Sequence, residues 1–179
     1  PLTLALFLPL TAHGIELASP VSCEIGRNCF LMQMVDQAPG DKRGDYRCGN
    51  FAYDKHSGTD IRVATMAEAK EGVNVLAAAN GTVLGARDEM EDVSVTGPTT
   101  SIANRECGNG VVLQHKGGWQ TQYCHLMRGS ITVKVGDTVT QGTRLGKIGM
   151  SGAAEVPHLH LSVRNPKQQH VDPFNSTLM

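Results

Sequence analysis

Aromatic residues are scarce in this chain, which has one Trp, three Tyr and four Phe among its 179 residues. The apolar residues form no sustained heptad and no stripe with the 3.6-residue period of an amphipathic helix. Gly, by contrast, is abundant, with 20 residues. Together these features argue against a helical bundle and predict a β protein rich in turns.

An excess of charge of either sign is lacking as well. The chain has 16 Lys and Arg against 17 Asp and Glu, and it contains no run of basic residues. A surface that neutralises phosphates is therefore not indicated, and we expect no nucleic-acid partner. The apolar stretch PLTLALFLPL at residues 1–10 contains Pro9 and is too short to cross a bilayer as a helix. We expect no stable membrane span.

The chain is long enough for one domain with a substantial core, and its composition divides it into three parts. Residues 1–18 resemble the apolar region and cleavage approach of a secretory signal peptide, with candidate cleavage points near Gly14 and Ala18. The alternative is an apolar arm that packs on the domain. Residues 19–53 are predicted to be an irregular, cysteine-containing arm, and residues 54–179 the main domain.

Short β-like runs separated by glycines follow from residue 73 onward. The predicted strands are Val73–Ala79, Thr82–Leu84, Val111–His115, Trp119–His125, Ile131–Val135, Leu145–Ile148 and His158–Val163. Asn80-Gly81 is a typical hairpin turn between the first and second of these strands. Lys116-Gly117-Gly118 is a typical turn between the third and fourth. A short helix is predicted at Met66–Glu71 and a polar loop at residues 86–106. The pattern predicts a mostly β fold built on an antiparallel sheet or open barrel-like sandwich.

Cysteine is present but not in metal-binding pairs. The five residues are Cys23, Cys29, Cys48, Cys107 and Cys124, and none forms a CxxC motif. This spacing argues against a cysteine zinc knuckle and favours an oxidising compartment, so we expect an exported protein, periplasmic or extracellular. Cys107 and Cys124 bracket the second predicted hairpin and are expected to form a disulfide. The pairing of the other three stays open, and the odd number leaves a thiol unpaired or paired between chains.

Two motifs with zinc-ligand residues lie far apart in the sequence. One is His56-Ser57-Gly58-Thr59-Asp60, and the other is His158-Leu159-His160. Catalytic zinc commonly has three protein ligands from His and Asp or Glu, with a fourth position for water. On a strand, side chains two residues apart share a face, so His158 and His160 would point the same way. Taken alone, each motif is more often an ordinary hydrogen-bonded pair.

The order HSGTD, QYCHL and HLH resembles the lysostaphin/LytM-type zinc endopeptidases. The glycine-rich approach to the second motif, from Gly136 to Gly152, is similar to that family, as are the segments Asn80–Val83 and Gly108–Val111. The resemblance covers roughly Asp54 to Pro173. It implies a mostly antiparallel β-sheet with a groove across it, and hydrolysis of peptide bonds in peptidoglycan stems or cross-bridges. A zinc-binding but non-hydrolytic peptidoglycan-binding or regulatory module on the same fold is the alternative.

The resemblance also implies roles for individual residues. His56, Asp60 and His160 would bind one Zn²⁺ per chain. His158 would be the general base or would orient it, and His125 would be the second catalytic imidazole, stabilising charge on a tetrahedral intermediate. The expected partner is a peptidoglycan peptide as substrate, and the expected state is a monomer.

Three further expectations concern residues outside these motifs. Because successive side chains alternate on a strand, Cys124 is expected to point away from the zinc when His125 points towards it. His115 and His170 are interpreted as ordinary polar residues, with His115 near the sheet surface. Tyr123 is expected to pack in the core or hairpin.

Overall fold

The computed structural model describes residues 14–96 and 102–174. Residues 1–13 of the predicted signal-peptide-like segment lie outside the described residues. The strands are β1 Cys29–Gln33, β2 Thr59–Val63, β3 Asn74–Leu76, β4 Gly81–Arg87, β5 Asn109–Gln114, β6 Gln120–Leu126, β7 Thr138–Val139, β8 Arg144–Lys147, β9 His158–Arg164 and β10 His170–Val171. The helix α1 is Met66–Glu71, and a 3₁₀ turn occupies Lys116–Gly118.

An antiparallel sheet forms most of the fold. Its strands lie in the order β1-β2-β9-β6-β5-β4-β7, with β10 pairing to β9, and a second small sheet contains β3 and β8. Within the described residues β1 and β7 are the edges of the large sheet, which is therefore open. The predicted mostly β, antiparallel fold is confirmed. No helix in the described part of the chain is long and apolar enough to cross a membrane.

Strand β9 shows how the sequence divides the sheet into two faces. Leu159, Leu161 and Val163 alternate along it and are almost fully buried in the apolar core. Val75 and Leu145 of the small sheet belong to the same core, which therefore lies between the two sheets. The intervening residues of β9, including both histidines, point to the opposite face of the large sheet.

The helix and the second predicted hairpin form where the sequence indicates. Thr65 caps α1 in a reciprocal arrangement, because its hydroxyl accepts from the backbone N–H of Glu68 while the Glu68 carboxylate accepts from the backbone N–H of Thr65. The Lys116–Gly118 turn joins β5 to β6, and Gly117 and Gly118 both have positive φ, at 75° and 88°.

The N-terminal arm is part of the sheet rather than wholly irregular. Its strand β1 pairs with β2, and a disulfide joins Cys23 to Cys29. Ahead of this strand, Leu17 of the preceding segment is buried in the core, and the carbonyl of Pro20 accepts from the backbone N–H of Leu76 in β3 at 2.8 Å. The arm is thus attached to both sheets.

Two strand predictions near glycines are wrong. Asn80-Gly81 does not close a hairpin, because β3 pairs with β8 and β4 pairs with β5 and β7. The three buried alanines 77–79 carry the chain from the small sheet to the large one. Residues 131–135 are not a strand, since the Asp137 carboxylate accepts from the backbone N–H of Lys134 and closes a turn.

His115 is buried, not near the surface as expected. Its Nδ1 lies 2.8 Å from the carbonyl oxygen of Asn80, and its Nε2 lies 2.7 Å from Oγ1 of Thr121. The Thr121 hydroxyl in turn donates to the hydroxyl of the buried Tyr123. The prediction that Tyr123 packs in the core is confirmed.

Candidate metal centre

Pairing between β2 and β9 brings the two distant motifs together. Asp60 lies directly opposite His160 in the antiparallel register, and Arg62 lies opposite His158. Residues directly opposite each other in such a pair share a face of the sheet. His56 precedes β2, and its backbone carbonyl accepts from the N–H of Asp36 in the arm at 2.8 Å.

His56, Asp60 and His160 converge on one point. Asp60 Oδ1 lies 2.8 Å from His160 Nδ1, Asp60 Oδ2 lies 3.2 Å from His56 Nε2, and the two ring nitrogens are 3.1 Å apart. One ligand atom from each residue lies within 4.8 Å of the others, so the cluster can hold a metal ion. Two imidazole nitrogens and a carboxylate oxygen are a donor set that suits Zn²⁺.

Hydrogen bonds fix which nitrogen of each ring faces the cluster. His56 Nδ1 lies 2.7 Å from the carbonyl oxygen of Met34, which leaves the Nε2 lone pair for the cluster. His160 uses the opposite nitrogen, since its Nε2 lies 3.1 Å from the hydroxyl of Ser162. The Ser162 hydroxyl itself donates to the carbonyl of Ser57, so it can accept from His160 Nε2, and in that tautomer Nδ1 has a lone pair for a metal ion.

Electrostatics keep Asp60 ionised. Burial would raise the pKa of this carboxyl. Without an ion, however, the ring nitrogens that face Asp60 can carry a proton and donate to it, and these hydrogen bonds from His160 and His56 outweigh burial and hold the pKa of Asp60 well below the usual range. For His56, burial opposes the charged form, while the hydrogen bond with Asp60 and the charge of Asp60 raise the pKa overall. A buried carboxylate between two imidazoles is the electrostatic setting that a divalent cation would occupy.

His125 and His158 lie side by side next to the cluster, with ring centroids 4.6 Å apart. His125 Nδ1 lies 2.8 Å from the carbonyl of Ser151, and His158 Nδ1 lies 2.8 Å from the carbonyl of Val156. Both rings therefore donate from Nδ1 and keep a lone pair on Nε2. His158 Nε2 is 3.8 Å from Asp60 Oδ1.

Both of these imidazoles are neutral at pH 7. Burial, reinforced by the neighbouring His158, lowers the pKa of His125 to about 3. Burial also lowers the pKa of His158, while the charge of Asp60 acts in the opposite direction. A neutral imidazole with a free Nε2 is a proton acceptor.

The expected orientation of Cys124 is wrong. Cys124 lies opposite His160 in the pairing of β6 with β9, so its side chain is on the same face of the sheet as the cluster. The next residue, His125, has a left-handed φ of 62°, which breaks strand alternation and lets both side chains reach this face. The predicted Cys107–Cys124 disulfide is present, and Cys48 is a free, exposed thiol.

A groove crosses the sheet over the cluster. It consists of a cavity of about 320 Å³ and another of about 270 Å³, and both are lined by Tyr53, His125 and His160. Met32 and Gln33 of β1 form part of the first cavity wall, so the arm contributes directly to the site.

Sequence reasoning missed several residues of this groove. Arg164 and His170 line the second cavity with Tyr53. Arg164 could have been identified from the sequence, because it lies an even number of positions from His158 and His160 on β9 and therefore shares their face of the strand. Tyr53 lies just outside the segment in which the sequence resemblance was found, and no pattern marks it.

Comparison with known proteins gives a consistent family relationship. The sequence model described as Peptidase family M23 matches residues 54–173. The predicted membership of the lysostaphin/LytM-type family is therefore confirmed, and the matched segment coincides with the region of the resemblance, Asp54 to Pro173. Two of the ligand candidates, His56 and Asp60, lie near the start of the matched segment.

Individual relatives match only in part. The chain is 32% identical over 124 residues to the cell division protein DipM of Caulobacter vibrioides. The aligned segment covers 66% of this chain and 17% of that protein. It is 45% identical over 53 residues to the peptidoglycan DD-endopeptidase ShyA of Vibrio cholerae. This aligned segment covers 30% of this chain and 12% of that protein. The matches thus span less than a fifth of either relative's length.

A solved structure shares the fold. The catalytic domain of the prophage-encoded M23 protein EnpA from Enterococcus faecalis, in a mutant form, superimposes with a TM-score of 0.54. The match covers 89% of this chain and 94% of that chain, at 22% identity.

Proposed function

The chain belongs to peptidase family M23, and from this premise we propose that it is a zinc-dependent endopeptidase that hydrolyses peptide bonds in peptidoglycan. The observation that carries the proposal is the convergence of His56, Asp60 and His160 beside two neutral imidazoles. The ligand candidates and the proton acceptors face the same groove. No single motif requires this arrangement, and a set of incidental histidines does not explain it.

Each side chain has a separate task in the proposed reaction. His56, Asp60 and His160 would hold the metal, which when bound supplies a water of lowered pKa and polarises the scissile carbonyl. His158 Nε2 accepts the proton of the attacking water, and the nearby Asp60 carboxylate favours the imidazolium that forms. That proton then passes to the nitrogen of the leaving amine.

His125 is assigned to stabilising the negative charge of the tetrahedral intermediate. Its Nε2 faces the same space, and its Nδ1–H is held by the Ser151 carbonyl. Because burial disfavours its charged form, His125 takes a proton onto Nε2 from solvent water only as negative charge develops on the substrate. It then donates from Nε2–H to the oxyanion, and it returns the proton to solvent when the intermediate collapses.

Peptidoglycan is proposed as the substrate on the basis of family and groove shape. The relative ShyA is named a peptidoglycan DD-endopeptidase. The groove runs across the sheet as two joined cavities, which suits an extended peptide that enters on one side of the metal and leaves on the other. The non-hydrolytic alternative is disfavoured because all three ligand candidates and both imidazoles are present.

Export to the periplasm or cell surface and a monomeric state complete the proposal. Two disulfides, Cys23–Cys29 and Cys107–Cys124, support an oxidising compartment. Size-exclusion chromatography with light scattering tests the monomeric state, and peptide mapping without reduction tests whether both bridges form in the protein isolated from its host.

One digestion experiment tests the activity. The zinc-loaded protein is incubated with purified peptidoglycan, and the soluble products are identified by mass spectrometry. We expect peptide cleavage products that are absent with the Asp60→Ala variant and after chelation. Intact peptidoglycan after incubation with protein that carries one zinc per chain would favour the non-hydrolytic module instead.

A further inference from the structure

Strand β9, which contains His158 and His160 of the candidate metal centre, ends at an arginine on the same face. His158, His160, Ser162 and Arg164 occupy alternate positions and share one face of the strand. At about 3.3 Å per residue, Arg164 lies about 13 Å along the strand from His160. Its side chain lines the cavity of about 270 Å³ that also contains His125 and His160. The groove therefore leads from the cluster to a guanidinium.

The guanidinium is held in place but not neutralised. Arg164 Nη2 donates to Oε1 of Gln122 on β6 at 2.7 Å. A guanidinium has five N–H donors in a rigid fork, and this bond uses one of them. None of the ion pairs formed within residues 14–96 and 102–174 includes Arg164.

The charges around Arg164 differ from those at the other end of the groove. His170 lines the same cavity, and burial together with the nearby Arg164 charge lowers the pKa of His170. Each cavity has one glutamate in its lining, Glu106 on the side of Arg164 and Glu155 on the far side of the cluster. The Glu106 carboxylate accepts from the backbone N–H of Asn104 at 2.9 Å. The difference is the guanidinium, because no other described Lys or Arg lines either cavity.

We propose that Arg164 binds a free carboxylate of the substrate peptide, about four residues of extended chain from the hydrolysed bond. The chemistry favours this ligand because the arginine fork matches the two oxygens of a carboxylate, and because the bond to Gln122 already orients the fork. The preferred substrates are then peptidoglycan peptides whose carboxyl group at that position is free rather than amidated. This inference rests on the proposed endopeptidase function.

A structural role is the competing explanation. Arg164 could serve only to tie β9 to β6 through Gln122. In that case Gln122→Ala would reproduce every effect of Arg164→Gln. If Arg164 binds a carboxylate, Gln122→Ala lowers affinity modestly and keeps the preference for the acid form over the amide form.

The test compares two synthetic stem-peptide dimers that differ in one group, a carboxylate or its primary amide. Dissociation constants are measured calorimetrically with zinc-loaded protein in a His158→Ala background, and kcat/KM is measured with His158 intact. We expect a preference for the acid form of roughly 10-fold or more, as for a hydrogen-bonded ion pair. Arg164→Gln should reduce the preference to within about 3-fold of unity, and Arg164→Lys should keep an intermediate value.

Controls separate the possible outcomes. Arg144→Gln removes the same charge from the exposed end of β8 and should leave the preference unchanged. No preference in the parent protein, or an unchanged preference in folded Arg164→Gln and Arg164→Lys, overturns the inference. If both dimers remain uncleaved while the binding preference depends on Arg164, the carboxylate site stands and the endopeptidase assignment falls.

Discussion

Cys124 lies directly opposite His160 across the β6–β9 pairing, so that a disulfide and a candidate metal ligand share one face of the sheet. The backbone N–H of His125 donates to the carbonyl of Cys107 at 2.8 Å, which links the other half of the bridge to the proposed catalytic imidazole. The bridge therefore bears on both stability and the shape of the groove.

Removing this disulfide should lower stability and activity together. The double variant Cys107→Ala, Cys124→Ala opens a loop of sequence separation 17. The loop-entropy model gives a loss of about 3 kcal/mol in the free energy of unfolding. We expect lower kcat because His125 is less firmly placed, with zinc affinity changed much less. Urea unfolding, hydrolysis rates and zinc titration measure the three quantities, and unchanged activity would separate the bridge from catalysis.

The ligand and acid–base roles can be distinguished by paired substitutions. His56→Ala and His160→Ala should lose both bound zinc and activity. His125→Ala and His158→Ala should keep zinc but lose about 10²–10⁴-fold in kcat, the usual contribution of general acid–base groups. Metal analysis and initial rates on the same samples provide the comparison. Near-normal hydrolysis by His158→Ala would contradict its assignment as the base.

The part of the site that could be predicted from sequence is the part encoded by short, regular spacing. His158 and His160 share a face because strand side chains alternate, and glycine and apolar spacing marked β9 itself. The disulfide of β6 was also predictable, because its two cysteines bracket a recognisable turn. These features need only local geometry.

Other features depend on contacts that local sequence does not encode. The left-handed conformation of His125 reverses the expected orientation of Cys124, and no residue pattern around it signals that conformation. The pairing of β3 with β8 joins segments about 70 residues apart, so the local Asn80-Gly81 signal predicts a hairpin that does not form. Likewise, the carbonyl of Met34 orients His56 from an arm that carries no metal-site motif.

Ser162 should tune metal affinity without touching the metal. Its hydroxyl accepts from His160 Nε2 and donates to the carbonyl of Ser57. In Ser162→Ala the imidazole loses the partner that fixes its tautomer, and zinc affinity should fall about 10- to 100-fold. Ser162→Thr keeps a hydroxyl and should recover most of the affinity. Competition titration against a chromophoric chelator measures the zinc affinity of both variants. Equal zinc affinities of Ser162→Ala and Ser162→Thr would argue against a role for the hydrogen bonds that link His160, Ser162 and Ser57.

His115 should make the protein less stable in acid. Burial, only partly offset by the hydrogen bond to Asn80, lowers the pKa of His115. The folded state therefore resists protonation more than the unfolded chain, whose histidine pKa is about 6.5. The stabilisation from neutral His115 is present above that pH and is lost as pH falls towards the lowered folded pKa. In His115→Asn the loss of stability that comes from protonating this histidine should be absent.

The measurement for His115 is the free energy of unfolding from urea titrations between pH 8 and pH 5. The free energy of unfolding of the parent protein should exceed that of His115→Asn by the largest amount at high pH, because the hydrogen bonds to Asn80 and Thr121 are intact there. The difference should shrink as the pH is lowered. A difference that is constant across this range would mean that His115 does not titrate on unfolding.

Gly58 should be the position in the HxGxD motif that least tolerates a side chain. A Cβ added there would lie 2.5 Å from His160 Nε2 and 2.7 Å from the carbonyl oxygen of Leu161. One of these contacts is backbone and the other is the ring edge that bonds Ser162, so Gly58→Ala must displace either β9 or the imidazole. We expect at least about 10-fold weaker zinc binding, and a loss of about 1–3 kcal/mol in stability, as for overpacked sites.

Gly85 on β4 provides the matched control for Gly58, because a Cβ added there has no heavy atom within 4 Å. Gly85→Ala makes the same chemical change in an open position and should leave zinc affinity unchanged and stability within about 1 kcal/mol of the parent. Zinc titration and urea unfolding of the two variants, side by side, separate a local clash from a general effect of replacing glycine in a strand-rich fold. If Gly58→Ala binds zinc as tightly as Gly85→Ala, His160 is not held against this loop, and the close approach of the HxGxD loop to β9 is not what positions the ligand.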